Sequence, residues 1–376
     1  MAQLLFTPLK LGQKTVKNRF CFPSVGLLQD ADPITGCPTS SRIGHYAEIA
    51  RGGAGLIVVG IASVQRDARL RPGEFGLWDD RPIGGFRRMT DAIHRHGAVA
   101  LVQLHHAGAR VMPAVCRERV APSALAAFGA RAMTLDEIHR LREDFIAAAV
   151  RAQKAGFDGV ELHAAHGYLL SLFASPLYNH RCDAYGGTPE NRVRLQAEII
   201  QGIHAACGRG FIVGSRMGGN EPGFAQGVEI ARLLEAAGAD DLSVSFGLDA
   251  HYRLETPYWR PTPWPPGFRG NSVVYAASLI KRQVHIPVIA VRSIHTAERG
   301  EWLLANGHAD LIAYARPMLT NPDFVERVRL GIQPETECLD CPVCQWFSQP
   351  KACPVEQKHG RDFYATPSSQ KENLSK

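Results

Sequence analysis

The chain of 376 residues is 45% hydrophobic, 8% aromatic and 21% charged, proportions that supply a large core and exclude wholesale disorder. Lys and Arg number 42 against 36 Asp and Glu, a net charge of +6, and these charges are interspersed rather than blocked, which argues against a dedicated nucleic-acid surface. No run reaches the about 18 apolar residues of a membrane span, and the opening MAQLLFTPLK lacks the basic start and apolar centre of a signal peptide, so a cytoplasmic protein is expected, acting on a small molecule without membrane or nucleic-acid partners.

From Asn18 to Leu330, short apolar or β-branched runs alternate with longer stretches of helical spacing. The predicted strands are Arg19–Ser24, Gly55–Val59, Ala98–Leu104, Gly159–His163, Phe211–Met217, Asp241–Phe246, Pro287–Val291 and Ala309–Tyr314. The predicted helices are Arg42–Arg51, Gly84–His96, Thr134–Lys154, Glu190–Cys207, Val228–Ala237, Val273–Gln283, Thr296–Ala305 and Asn321–Leu330. Three helix-to-strand junctions repeat one device, a small residue or Asn followed by Gly156, Gly238 or Gly307, where a left-handed glycine closes the helix. Eight strand–helix units with short returns predict an α/β fold, a (β/α)8 TIM barrel over residues 1–331, with a cysteine-rich extension and polar tail over 332–376. A doubly wound sheet fits less well, because no predicted strand runs into a G-x-G-x-x-G turn. The segment Thr256–Gly270 (TPYWRPTPWPPGFRG) follows the sixth strand and, on a barrel, is expected to line the pocket above the strand ends.

Barrel chemistry sits at the carboxyl ends of the strands. There the sequence places Pro23-Ser24, Gly60, Gln103, His163, His166, Tyr168, Arg216 and the neighbourhoods of Arg292 and Arg316. His163, His166 and Tyr168 set three protic side chains within six residues at one strand mouth. Such a set suits holding a carbonyl or nitro oxygen by two donors while a phenol gives up a proton. Zinc ligation by the two histidines with Glu161 is the competing reading. Gln103 ends an apolar strand with both a donor and an acceptor, as a pyrimidine-like edge requires. Arg216 interrupts another apolar run, and a buried arginine calls for a negative partner. An anionic aromatic cofactor would satisfy both.

The stretches LFTPLKLGQKTVKNRF from Leu5, VQLHHAGAR from Val102, GFDGVELHAAHGYLLSLFASPLYNHRCDAYGGTPENRVR from Gly156, and ADLIAYARPMLTNPDF near the end resemble the Old Yellow Enzyme family of FMN-dependent ene-reductases. The resemblance runs from about Leu5 to Leu330. It implies an NAD(P)H-driven oxidoreductase in which Pro23, Ser24, Gly60, Gln103 and Arg216 hold the flavin ring. Arg316 and the backbone around Arg292 would hold the FMN phosphate. His163 and His166 would bind the activating oxygen, and Tyr168 would protonate carbon. Asn179, Arg181, Asp183 and Tyr185 fall in a loop that shapes the barrel mouth. The sequence departs from the family at Val291-Arg292-Ser293-Ile294 and at Ala315, where relatives carry glycines, so the phosphate grip is expected to differ.

Nine cysteines include Cys338, Cys341, Cys344 and Cys353 in one short segment. Its place resembles that of the [4Fe–4S] cluster in the dienoyl-CoA reductase and trimethylamine dehydrogenase branch, although the later gaps there differ from those of this chain. Zinc in a closed four-thiolate site and unliganded thiols are the alternatives. A cluster would relay electrons to an outside partner, as in an Fe–S flavoprotein of demethylase or dienoyl-reductase type. An RNA-modifying flavin barrel of the dihydrouridine synthase kind fits poorly, since it would present a strand-end cysteine where this chain has its histidines.

Overall fold

The computed structural model of the chain describes residues 3–26, 30–247, 264–341, 344–347, 349 and 352–359. Its barrel strands are β1 Phe20–Phe22, β2 Leu56–Ser63, β3 Val99–His105, β4 Gly159–Ala164, β5 Ile212–Gly218, β6 Asp241–Ser245, β7 Val288–Ala290 and β8 Leu311–Ala313. All neighbours are parallel, and β8 returns to β1 through Ile312 opposite Phe20, while β1 meets β2 through Cys21 opposite Leu56, closing the cylinder. These strands read as continuous apolar runs because both faces are covered, one by the barrel interior and the other by helices. Every residue of β2 and of β3 is accordingly buried.

The outer helices are α1 Ser40–Arg51, α2 Ile83–His94, α3 Leu135–Lys154, α4 Pro189–Cys207, α5 Phe224–Ala236, α6 Ser272–Lys281, α7 Ala297–Ala305 and α8 Phe324–Leu330. Thr39, Thr134, Thr188, Asn271 and Thr296 cap α1, α3, α4, α6 and α7 by accepting backbone N–H bonds, and Thr134 completes a capping box with Glu137. Gly156, Gly238 and Gly307 take the expected left-handed conformation, with φ of 88°, 99° and 65°. A hairpin of Leu9–Leu11 with Lys14–Val16 plugs the floor, sending Leu11 and Val16 into a cluster with Val58, Leu101 and Ile289.

Two segments fall outside the eight-unit repeat. Residues 256–263 of the aromatic segment lie outside the described residues. Of its remainder, Phe268 packs on Tyr275, Trp302 and His308, and nothing from Trp264–Gly270 lines the barrel mouth. Aromatic partners on α6 and α7 draw it to the outer face. In the cysteine-rich segment, Trp346 is 1% exposed, lies 6.3 Å from His45 of α1 by ring centroids, and joins the main core cluster with Cys353 and Val355. Residues 360–376 lie outside the described residues.

Candidate active site

The carboxyl ends of the strands open into a cavity of about 920 Å³. Pro23, Ser24, Gln103, His163, His166, Tyr168, Arg216, Arg292 and Arg316 all line it. Gly60 stands just behind: a Cβ there would lie 2.6 Å from Ser24 Oγ and 3.0 Å from the Gln103 Cβ. Only a residue without a side chain lets those two groups meet the cavity together.

One network fixes the wall formed by β1, β3, β4 and β5. Ser24 Oγ donates to Gln103 Oε1 at 2.9 Å, Gln103 Nε2 donates to Glu161 Oε1 at 2.6 Å, and Arg216 Nη1 donates to the Ser24 carbonyl at 2.9 Å. Burial raises the Glu161 pKa, opposed by the Arg216 charge, and burial lowers that of Arg216, opposed by Glu161. Arg216 Nε is buried with no hydrogen-bond acceptor from the protein. A buried cationic donor of this kind calls for an acceptor from a bound group. Glu161 is committed to Gln103, not to the histidines.

The chain leaves β4 through a left-handed turn, with φ of 62° at His166 and 68° at Gly167. His166 N–H donates to the Phe246 carbonyl at 2.9 Å, its Nε2 bonds Ser245 Oγ at 2.7 Å, and its Nδ1 lies 3.3 Å from His163 Nε2. His163 Nδ1 is the nitrogen of the pair without a hydrogen-bond partner. Burial, followed by nearby cationic or histidine charge, holds both imidazoles well below the usual histidine pKa, so they act as neutral groups.

Tyr168 packs at 4.8 Å from His163 and edge-on at 4.4 Å from His105, while the Arg110 guanidinium carbon sits 4.9 Å over its ring. Arg110 Nη1 also donates to the His166 carbonyl at 2.7 Å, tying the turn to the loop after β3. Beneath lies a buried pair, His105 Nε2 at 3.8 Å from Glu74 Oε1. Burial pushes the Glu74 carboxyl up to about 8 and the His105 imidazole well down, leaving both neutral near pH 7. Sequence reasoning missed His105, Glu74, Arg110 and Ser245. His105 was within reach, since strand alternation puts it on the face of Gln103.

Residues 4–335 match the NADH:flavin oxidoreductase / NADH oxidase family. The chain belongs to that family. It is 35% identical over 355 residues to an NADH oxidase of Thermoanaerobacter brockii, covering 90% of this chain and 52% of that protein. It is 34% identical to an NADPH dehydrogenase of Listeria monocytogenes, covering 86% of this chain and 93% of the relative. The chain therefore spans about half the length of the first relative and nearly all of the second. The crystal structure of an Old Yellow Enzyme homologue from Zymomonas mobilis superposes with a TM-score of 0.72 at 29% identity, covering 87% of this chain and 92% of that one.

Membership makes the chain a flavin oxidoreductase, and the cavity fits FMN. Ser24, Gln103 and Arg216 offer an amide edge and a spare cationic donor to a ring, with Gly60 leaving room. At the far end Arg316 contacts Asp340 through Nη1 and His295 Nε2 through Nη2 at 3.1 Å. Arg292 and Ser293 keep positive φ of 89° and 53° although neither is glycine. Both residues thus occupy the left-handed region that favours glycine.

The loop after β4 is pinned internally: Arg181 pairs with Asp183 at 2.5 Å and donates to the Pro122 and Met133 carbonyls. Cys338, Cys341, Cys344 and Cys353 line one small cavity with Arg316 and Trp346. Among the described residues no group of three or more His, Cys, Asp or Glu is placed to hold a metal ion, at this cavity or at His163 and His166. No described helix is long and apolar enough to cross a membrane.

Proposed function

We propose that this flavin oxidoreductase reduces activated C=C bonds, of the enone or enoate kind, with NAD(P)H as the source of electrons. The observation that carries the reading is the convergence of His163, His166 and Tyr168 on the same cavity as Gln103 and Arg216. Ser24, Gln103 and Arg216 would hold the FMN ring, with Arg316 and the backbone at Arg292 toward its phosphate, and the bound cofactor would supply the hydride for the β-carbon. His163 Nδ1 donates to the activating oxygen, and His166, locked by Ser245, holds that ring in place so that the pair binds the oxygen as a unit. A well-placed donor at an oxygen gaining charge is worth on the order of 10²–10³ in rate. Tyr168 protonates the α-carbon, and the Arg110 charge over its ring offsets the negative charge left on the phenol.

Protein reduced anaerobically with NADPH or NADH and then mixed with 2-cyclohexen-1-one tests this directly. Recovery of the oxidised flavin spectrum with formation of cyclohexanone is expected. Reduced flavin that survives enones, enoates and nitroalkenes alike would remove the ene-reductase reading.

The four cysteines extend the proposal. The four line one small cavity, and of the two metal readings we take [4Fe–4S] over zinc. Zinc needs all four sulfurs about 2.3 Å from one point, whereas a cluster binds each thiolate through a different iron. The cluster would then exchange electrons with a separate protein partner. Iron and labile sulfide at about four each per chain, lost in Cys341→Ser, is the expected analysis of protein purified without oxygen. Stoichiometric zinc, or neither metal, would contradict it.

A further inference from the structure

Below the cavity, acidic side chains interrupt the apolar barrel interior. Gln103 of β3 lies opposite Glu161 of β4, and Glu161 lies opposite Gly214 of β5. Gly214 in turn pairs with Asp241 of β6, whose carboxyl takes the space a side chain would fill: a Cβ on Gly214 would stand 2.4 Å from Asp241 Oδ2. Two acids, Glu161 at 2% exposed and Asp241 at 0%, thus share the barrel interior. Buried carboxyls that feel one another do not both ionise near neutral pH. Their surroundings decide which carries the charge. Glu161 meets donors: Gln103 Nε2 donates to it at 2.6 Å, and Arg216, Gln103 and the Ser243 hydroxyl all favour its ionised form. Among the described residues neither oxygen of Asp241 has a hydrogen-bond partner, and burial, followed by the Glu161 charge, holds its carboxyl well above the usual carboxylate range. Asp241 is the neutral acid and Glu161 the carboxylate.

We infer that Glu161 is a positioning residue that lowers the reduction potential of the bound flavin, acting on the ring through Gln103 and against the charge of Arg216. The inference rests on the reading that Gln103 and Arg216 hold the flavin ring. Reduction adds negative charge to the ring, so a cation beside it favours the reduced form and an anion opposes it, and in an interior closed to water both act with little screening. Arg216 alone would hold the reduced flavin too well for it to pass the hydride on. Glu161 offsets part of that charge and restores the driving force toward the alkene. Through its bond to Nε2 it also fixes the Gln103 amide, leaving Oε1 to accept from Ser24.

The test is the midpoint potential of the flavin in the holoprotein, measured by anaerobic spectroelectrochemistry for wild type and for Glu161→Gln, Glu161→Met, Glu161→Asp, Asp241→Asn and Arg216→Gln. The two neutral replacements of Glu161 should favour the reduced over the oxidised flavin by about tenfold or more relative to wild type, a rise of about 30 mV for a two-electron couple. Methionine, uncharged and of similar volume, gives the same reading should the amide variant fail to fold. Glu161→Asp keeps the charge and should stay nearer to wild type than either. Asp241→Asn exchanges one neutral group for another and should leave the potential within about twofold on the same scale. Arg216→Gln should move it the opposite way. A potential unmoved in both neutral variants, or moved equally by Glu161→Asp, overturns the role of Glu161. A rise in Asp241→Asn as large as that in Glu161→Gln would place the charge on Asp241 and overturn it as well. If Arg216→Gln changes neither the potential nor the FMN dissociation constant, the ring does not lie on this wall, and the reading of the cofactor site fails instead, taking the inference with it.

Discussion

Tyr168→Phe should leave flavin reduction by NAD(P)H within a factor of a few of wild type and slow reoxidation by an enone by about 10²–10⁴. Only the second half-reaction places a proton on carbon, and in the proposed mechanism its donor is this phenol, which lies beside His163 and under the Arg110 guanidinium. The ring itself is retained, so its packing against His105 at 4.4 Å and the turn at His166 should survive. Stopped-flow measurement of each half-reaction separates the outcomes. Equal slowing of both would show that the substitution disturbs the flavin site as a whole, and no slowing of either would assign the proton to another donor.

The second large effect concerns Arg216. Arg216→Gln should weaken FMN binding by about 10- to 100-fold, the consequence of losing a charge-assisted hydrogen bond of about 1.5–3 kcal/mol. The buried Nε without a protein acceptor is the basis of the expectation, together with the anchoring of Nη1 on Ser24. Arg216→Lys keeps the charge but not the fork, and should recover only part of the loss. Fluorescence titration of the apoprotein with FMN measures this, and the thermal stabilisation conferred by added FMN should shrink in parallel. An unchanged dissociation constant would mean that the arginine serves Glu161 and the wall rather than the cofactor.

Most of the barrel was legible because its strands are buried on both sides and so stand out as apolar runs between capped helices. Each predicted strand overlaps an observed one, and Thr39, Thr134, Thr188 and Thr296 mark helix starts as cap chemistry requires. Boundaries drifted where local signals conflict. Helix α5 begins at Phe224 rather than Val228 because Gly227, a poor helix former, interrupts the pattern inside the first turn. The short helices Leu169–Ala174 and Ala315–Thr320 carry no side-chain cap and are too brief to show a period. In the site, residues adjacent in sequence or at strand ends were readable, while Arg110 and Glu74 reach Tyr168 and His105 from separate loops and leave no local trace. Arg292 shows a further limit: the sequence reveals a missing glycine, and only the structure shows that the backbone keeps the glycine's conformation and turns the side chain toward Phe246.

Deuterium tracing puts the central reading under the most direct strain. NAD(P)H labelled at the transferable C4 position, with 2-cyclohexen-1-one in ordinary water, should give cyclohexanone with deuterium at the β-carbon and a solvent-derived proton at the α-carbon. The label at β reports hydride delivery by way of the flavin, and the unlabelled α-carbon reports a solvent-equilibrated acid, the role proposed for Tyr168. Deuterium at the α-carbon, or nicotinamide consumed with the enone left intact, would contradict the account.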